Sequence, residues 1–172
     1  MHRLLAILAC VWIVSAPAFA ADIPRPAPET SFSLPDGRKI NLNDYRGKIV
    51  AVEIMLTTCP ICQRTSTVIE KLYEEYGDKG FQPLGIAMND DTGNLVSDYV
   101  KEHNITFPIG FAPRDVALSL LQYSMMNAQM FFPNLVIIDR EGVIQAQIEG
   151  TDDFFRNPDA NVRRLVESFL EE

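Results

Sequence analysis

The feature that most constrains the fold of this chain is an apolar run that leads directly into two closely spaced cysteines. Residues 49–56 read Ile-Val-Ala-Val-Glu-Ile-Met-Leu, a composition typical of a strand covered on both faces of a sheet. From residue 60 to Tyr76, apolar positions recur at helical spacing. Cys59 and Cys62 therefore lie at a predicted strand-to-helix turn, where the helix N-terminus favours a thiolate over a thiol.

The spacing of the two cysteines predicts a dithiol/disulfide site, because two thiols two residues apart can close a short disulfide. A zinc site that begins with Cys-x-x-Cys needs a second pair of ligands, and the chain offers only Cys10, His2 and His103 besides. A purely structural bridge would close a loop so small that it restrains little chain entropy. Redox chemistry without a metal is the favoured interpretation, and metal binding and a structural bridge are the alternatives.

The first twenty residues have the pattern of a secretory signal peptide. A short basic start is followed by an apolar run over residues 4–14 and by the A-x-A site Ala18-Phe19-Ala20. A membrane anchor is the alternative, although the apolar run is short for a span and Pro17 interrupts its end. We therefore predict a signal peptide over 1–20 and an exported, periplasmic protein, in which a single cysteine pair is suited to redox work.

The rest of the chain has the length of one domain. The sequence has 172 residues, and we predict a Pro-rich tether over 21–30 that contributes no core, followed by a single domain over 31–172. The formal net charge of −8 disfavours nucleic acid and anionic membrane surfaces as partners.

Strands and helices alternate along this domain, which predicts an α/β fold with a mixed central sheet and helices on both faces. A β-hairpin is indicated by the Asp36-Gly37 turn between two short alternating segments. Further strands are predicted at 81–88, 107–111, 135–139 and 143–149, and further helices at 94–104, 115–123 and around 162–170.

Two motifs carry a resemblance to a known family. Cys59-Pro60-Ile61-Cys62 after a buried strand, with Phe132-Pro133 before a later strand, resembles the thioredoxin superfamily. The flanking sequence over about residues 31–171 is similar to its TlpA/ResA-like, redoxin-type branch of exported thiol-disulfide oxidoreductases. The resemblance implies a three-layer α/β/α sandwich with an N-terminal β-hairpin and an inserted strand and helix before Pro133.

The resemblance also implies roles for the site residues. Cys59 would be the exposed nucleophile and Cys62 the more buried resolving thiol. Pro133 would be a cis-proline opposite the active-site turn, and the Phe132 backbone would pair with an extended substrate segment. Pro60 and Ile61 would contact the substrate beside Cys59.

Glu53 is the candidate proton acceptor and donor. It interrupts the apolar strand six residues before Cys59, where the thioredoxin family carries a buried carboxylate. Desolvation should raise its pKa towards neutrality, so that it can take a proton from Cys62 and return it. Pairing with a lysine, or a place at the sheet edge, is the alternative. The ResA pattern differs, with a glutamate three residues after the second cysteine, where this chain has Thr65.

The family implies a reductase that needs no cofactor and acts as a monomer on oxidised envelope proteins such as apocytochrome c. A membrane thiol donor of the DsbD/CcdA kind would keep it reduced. A disulfide-inserting oxidase would differ only in its reduction potential. A Sco-type copper-delivery module would need Cys-x-x-x-Cys and a histidine ligand. A peroxiredoxin-like peroxidase would need Pro-x-x-x-Thr-x-x-Cys, which neither Cys59 nor Cys62 satisfies.

Overall fold

The computed structural model describes residues 22–89, 92–124 and 129–171, so the predicted signal peptide lies outside the described residues. The strands are β1 Arg25–Pro26, β2 Ser31–Ser33, β3 Lys39–Asn41, β4 Ile49–Met55, β5 Phe81–Ala87, β6 Ile109–Phe111, β7 Asn134–Ile138 and β8 Val143–Ile148. The helices are α1 Pro60–Tyr76, α2 Thr92–Glu102, α3 Arg114–Leu121 and α4 Pro158–Leu170. Across these three stretches, no helix has the length and apolarity of a membrane span.

The strands form one mixed sheet in the order β1-β8-β7-β4-β5-β6-β2-β3. Strand β4 pairs in parallel with β5 and antiparallel with β7, so it is central and its backbone groups are used on both sides. Strands β2 and β3 form the predicted hairpin, and the strand β6 and the helix α3 that were predicted before Pro133 are both present. The mixed sheet and the α/β architecture are therefore as the sequence predicts.

Two apolar clusters, one on each face of the sheet, form the core. The first contains buried residues of α1, α2 and α4, and the second contains buried residues of α3 and of the N-terminal hairpin. Because side chains alternate along a strand, the odd-numbered residues of β4 belong to the first cluster and the even-numbered ones to the second. Glu53 is odd-numbered and therefore faces α1 and α2, on the side of the sheet where the cysteines lie.

The Pro-rich segment differs from its prediction as a tether without core contacts. Arg25 pairs with Ile144 at the edge of β8, and its guanidinium donates to the Leu120 carbonyl at 2.9 Å and to Gln147 Oε1 at 2.5 Å. Only 6% of Arg25 is exposed. Prolines favour an extended conformation, which is also the conformation of an edge strand. On the outer side of an edge strand the missing N–H of proline costs the sheet no hydrogen bond.

A buried carboxylate on α1 fixes the loop that enters β6. Glu70 accepts hydrogen bonds from the Thr106 N–H at 2.7 Å and from the Thr106 hydroxyl at 2.5 Å. We predict that Glu70→Ala lowers the free energy of unfolding by about 1–3 kcal/mol, because it leaves these donors without their acceptor. Urea denaturation measures the change, with the exposed Glu74→Ala on the same helix as control. Equal stabilities of the two variants would contradict the prediction.

Candidate active site

The turn between β4 and α1 places Cys59 at the start of the helix. Cys59 is the N-cap residue of α1, and its Sγ accepts a hydrogen bond from the Cys62 N–H at 3.3 Å. Pro60 occupies the first helical turn, where a missing N–H has no intrahelical partner to lose. The sulfur of Cys59 thus lies among the unpaired backbone N–H groups of the helix N-terminus.

The two cysteines are free thiols in very different environments. Cys59 is partly exposed, whereas Cys62 is fully buried in the first core cluster, between the sheet and its helices. Burial raises the pKa of the Cys62 thiol well above its ordinary value, and the contact with Cys59 and the charge of Glu53 raise it further. An external disulfide can therefore reach Cys59, while Cys62 needs a base before it can react.

The loop before β7 faces the Cys59 thiol. The Phe132-Pro133 peptide bond is cis, in agreement with the prediction, and Cys59 Sγ lies 4.0 Å from the Phe132 carbonyl oxygen. Pro133 is buried and Phe132 is half-buried against the core. Two large apolar side chains near this point, Ile61 and Phe131, are 45% and 41% exposed. Exposed apolar side chains thus lie close along the chain to both Cys59 and Phe132.

A buried amide, which the sequence analysis missed, holds this loop. The Asn134 side chain accepts a hydrogen bond from the Tyr123 hydroxyl at 3.1 Å and donates one to the Phe131 carbonyl. Asn134 has no exposed surface. Nothing in the local sequence signals this role, because its partner Tyr123 is 11 residues earlier in the chain.

Gly150, also missed, is packed against the same loop. A Cβ at this position would lie 2.7 Å from the Phe132 carbonyl carbon and 2.8 Å from that of Phe131. Both are backbone atoms, so the loop itself would have to move. A glycine directly after a predicted strand was the available signal, since it often marks a close backbone approach.

We predict that Gly150→Ala displaces the cis-proline loop from Cys59 and lowers kcat/KM for a disulfide substrate by roughly tenfold to a hundredfold. Gly77→Ala is the control, because Gly77 has a helical backbone and its Cβ would meet only the Tyr73 ring. Disulfide reduction and thermal unfolding are measured on both variants. An unchanged kcat/KM in Gly150→Ala would show that the loop position does not matter.

Glu53 lies in the middle of β4 with no exposed surface. The Ser66 hydroxyl donates to its Oε2 at 2.6 Å, and its Oε1 has no hydrogen-bond partner among the described residues. Its neighbours across the sheet are Gly85 and Leu135, and no cation pairs with it in the described part of the chain. The lysine-paired and sheet-edge alternatives are therefore wrong.

Burial raises the pKa of Glu53 to about 8, and the hydrogen bond from Ser66 opposes that rise. Thr65, where the ResA pattern has a glutamate, is buried, and its hydroxyl donates to the Ile61 carbonyl at 2.9 Å. That position therefore supplies no acid. Over residues 22–89, 92–124 and 129–171, no group of three or more His, Cys, Asp or Glu side chains could hold a metal ion.

Comparison with known proteins places the chain in a family. The family model described as AhpC/TSA matches residues 23–147, which is most of the chain. The chain belongs to the AhpC/TSA family. Thiol-disulfide oxidoreductase ResA of Bacillus thuringiensis is similar to this AhpC/TSA member, with 26% identity over 75% of this chain and 70% of the relative. Thioredoxin-like protein YneN of Bacillus subtilis is 29% identical over 73% of this chain and 70% of the relative.

Solved structures share the fold of this AhpC/TSA member. The crystal structure of a thiol:disulfide interchange protein of the thioredoxin family from Chlorobium tepidum has a TM-score of 0.72 and 25% identity. The similarity covers 88% of this chain and 99% of that one. The thioredoxin-like fold and the resemblance to ResA-like proteins, both predicted from the cysteine motif and the Phe132-Pro133 pair, are confirmed.

Proposed function

We propose that this AhpC/TSA family member is a thiol-disulfide oxidoreductase that reduces protein disulfides with Cys59 and Cys62. The observation that carries the proposal is the asymmetry of the pair: a partly exposed thiol at a helix N-cap, with a fully buried thiol one turn behind it. The ResA relatives, which are named thiol-disulfide oxidoreductases, support the same activity.

The first step is attack by the Cys59 thiolate on one sulfur of the substrate disulfide. The substrate S–S bond breaks, a mixed disulfide forms between Cys59 and the substrate, and the released substrate thiolate takes up a proton. The Phe132 carbonyl beside Cys59 Sγ offers an acceptor to the backbone of an extended substrate segment. The exposed side chains of Pro60, Ile61 and Phe131 would contact apolar side chains of the substrate.

The second step is resolution by Cys62. Its proton passes to the Glu53 carboxylate, and the Cys62 thiolate attacks Cys59 Sγ. The Cys59–Cys62 disulfide forms, the second substrate thiolate leaves, and it takes up the proton that Glu53 gives back. Two electrons and two protons have then passed from the dithiol to the substrate.

The physiological setting belongs to the proposal as well. The predicted signal peptide over 1–20 supports export, and in the periplasm the substrates would be envelope proteins such as apocytochrome c. Because the product is an oxidised dithiol, each turnover requires a thiol donor, and for an exported protein this would be a membrane donor of the DsbD/CcdA kind. The protein would work as a monomer and without a cofactor.

Reduction of a model protein disulfide tests the activity. The dithiol protein is mixed with insulin in the absence of other thiols, and we expect two substrate thiols to be released for each Cys59–Cys62 disulfide formed. Mass spectrometry of both proteins measures the two quantities. A substrate that stays oxidised in the presence of excess dithiol protein would contradict the proposal.

A further inference from the structure

The last carbonyl groups of α3 are bonded by side chains from two distant parts of the chain. A helix end leaves carbonyl groups without intrahelical partners, and these need donors from elsewhere when they are buried. The Arg25 guanidinium, from β1, donates to the Leu120 carbonyl at 2.9 Å. The Gln147 amide, from β8, donates to the Leu121 carbonyl at 3.1 Å. Two strands at one edge of the sheet thus cap the C-terminus of α3.

The two capping side chains are bonded to each other. Arg25 Nη2 donates to Gln147 Oε1 at 2.5 Å, so the same guanidinium nitrogen holds a helix carbonyl and the amide that bonds the next one. Arg25 is 6% exposed, and within the described ranges it forms no ion pair. A buried cation is costly unless the groups around it oppose its charge, and the negative end of the α3 dipole does so here. An apolar side chain would fill the same space, so the guanidinium serves the helix carbonyls.

The chain leaves α3 in a conformation that needs such support. Gln122, directly after the helix, has a left-handed backbone with φ 55°, which residues other than glycine seldom adopt. The N–H of the following residue, Tyr123, returns to the Leu118 carbonyl at 2.9 Å. The bonds to the carbonyls of residues 120 and 121 therefore help to fix the direction in which Tyr123 leaves the helix.

Tyr123 connects this helix end with the active-site loop. Its hydroxyl donates to Asn134 Oδ1 at 3.1 Å, and Asn134 Nδ2 donates to the Phe131 carbonyl. The next carbonyl oxygen, that of Phe132, lies 4.0 Å from Cys59 Sγ. Hydrogen bonds and two short stretches of backbone thus lead from β1 to the carbonyl that faces the thiol.

We propose that Arg25 and Gln147 are positioning residues for substrate binding. By capping α3 they fix Tyr123, and through it the Phe132 carbonyl that would accept a hydrogen bond from the substrate backbone. This inference rests on the proposed function of the dithiol. The N-terminal segment before the hairpin then contributes to recognition of the substrate.

The position of the carbonyl matters for one class of substrate only. A disulfide within a peptide can offer backbone N–H groups to the Phe132 carbonyl. Bis(2-hydroxyethyl) disulfide has no such groups and needs only the Cys59 thiol, which is placed by the N-terminus of α1. The proposal therefore predicts that changes at Arg25 affect the two disulfides differently, whereas a general loss of structure would affect both.

The experiment compares these two disulfides. The reduced protein is mixed with an excess of each, and alkylation at timed intervals followed by mass spectrometry gives the second-order rate constant of dithiol oxidation. Arg25→Met keeps an apolar stem and removes the guanidinium. We expect its rate constant with the peptide disulfide to fall about tenfold, the equivalent of one hydrogen bond, and that with bis(2-hydroxyethyl) disulfide to stay unchanged. An equal fall with both disulfides, or no fall with either, would overturn the proposal.

A second variant and a control accompany Arg25→Met. Gln147→Met removes the other cap of α3 and should have the same selective effect, so the test does not depend on one protein. Glu70→Ala, which also removes a buried hydrogen-bonding group but lies outside this series of contacts, should leave both rate constants unchanged. A selective fall in Glu70→Ala as well would overturn the proposal.

The route through Tyr123 has its own test. If Arg25 acts through the Tyr123 hydroxyl, then Arg25→Met should cause no further loss with the peptide disulfide in a Tyr123→Phe background. An equal loss with and without that hydroxyl would contradict the assigned route.

A further readout needs no substrate. Hydrogen exchange of the Asn134 side-chain amide, followed by NMR, should be faster in Arg25→Met and Gln147→Met than in the wild type and in Glu70→Ala. The same exchange rate in all four proteins would overturn the inference. A wild-type dithiol that reacts with neither disulfide would instead overturn the proposed function, and the exchange rates would still decide the role of Arg25.

Discussion

Replacing Cys62 by alanine is expected to abolish turnover and to leave the substrate covalently attached to Cys59. The exposed thiol can still attack a disulfide, but no neighbouring thiol then displaces it. Because an intramolecular thiol acts at a very high effective concentration, its loss should slow resolution by roughly a thousandfold or more at millimolar external thiol. The trapped species is the mixed disulfide of the first step.

Mass spectrometry after treatment with glutathione disulfide measures the trap. Cys62→Ala should carry one glutathione, on Cys59, and the wild type should instead hold an internal disulfide. Cys59→Ala is the matched control and should stay unmodified on the same timescale, because Cys62 has no exposed surface. Rapid modification of Cys62 in that control would show that the assigned order of the two thiols is wrong.

Replacing Glu53 by glutamine is expected to remove most of the pH dependence of stability in the dithiol protein. Folding raises the pKa of this carboxyl from its ordinary 4.5 to about 8, so the native state keeps a proton that the unfolded chain has released. The stability of the wild type is therefore complete below pH 4.5, falls as the pH rises to about 8, and is level above that. The total loss is at most about 5 kcal/mol.

Urea denaturation of the reduced proteins between pH 5 and pH 9 measures this slope. Glu53→Gln should be nearly flat over the interval and more stable than the wild type at the upper end. Part of the gain is lost because the buried amide has N–H groups that need acceptors. Glu74→Gln, an exposed change, should keep the wild-type slope. A wild type without a slope would mean that Glu53 is ionised in the folded protein.

The same substitution should slow the resolution step, because glutamine cannot accept the Cys62 proton. The mixed disulfide should then accumulate at pH 7 without a change in its rate of formation. If resolution in Glu53→Gln were as fast as in the wild type, the proton of Cys62 would have to leave by another route.

The sequence was most informative where one short segment determines both structure and chemistry. The run from β4 into α1, the hairpin of β2 and β3, and the proline before β7 are local patterns, and the structure has each of them. The burial of Glu53 was predictable as well, since a single charge in a strand covered on both faces must be desolvated.

Features that depend on contacts between distant segments could not be predicted in this way. Ser66 meets Glu53 only because α1 packs on the face of the sheet to which the odd-numbered residues of β4 point. Asn134 supports the cis-proline loop through side-chain hydrogen bonds and Gly150 through a close backbone approach, and neither leaves a periodic signal. Arg25 was assigned to a tether because its burial depends on Leu120 and Gln147, two residues far along the chain.

The most direct test of the central claim is the equilibrium of the Cys59–Cys62 pair with glutathione buffers of defined potential. The account predicts a single two-electron couple that involves both cysteines, with a potential of about −250 mV or below, as expected of a reductase. A potential of about −120 mV would identify an oxidase and contradict the proposed direction of electron flow. A pair that forms no internal disulfide at any potential would contradict the proposed chemistry itself.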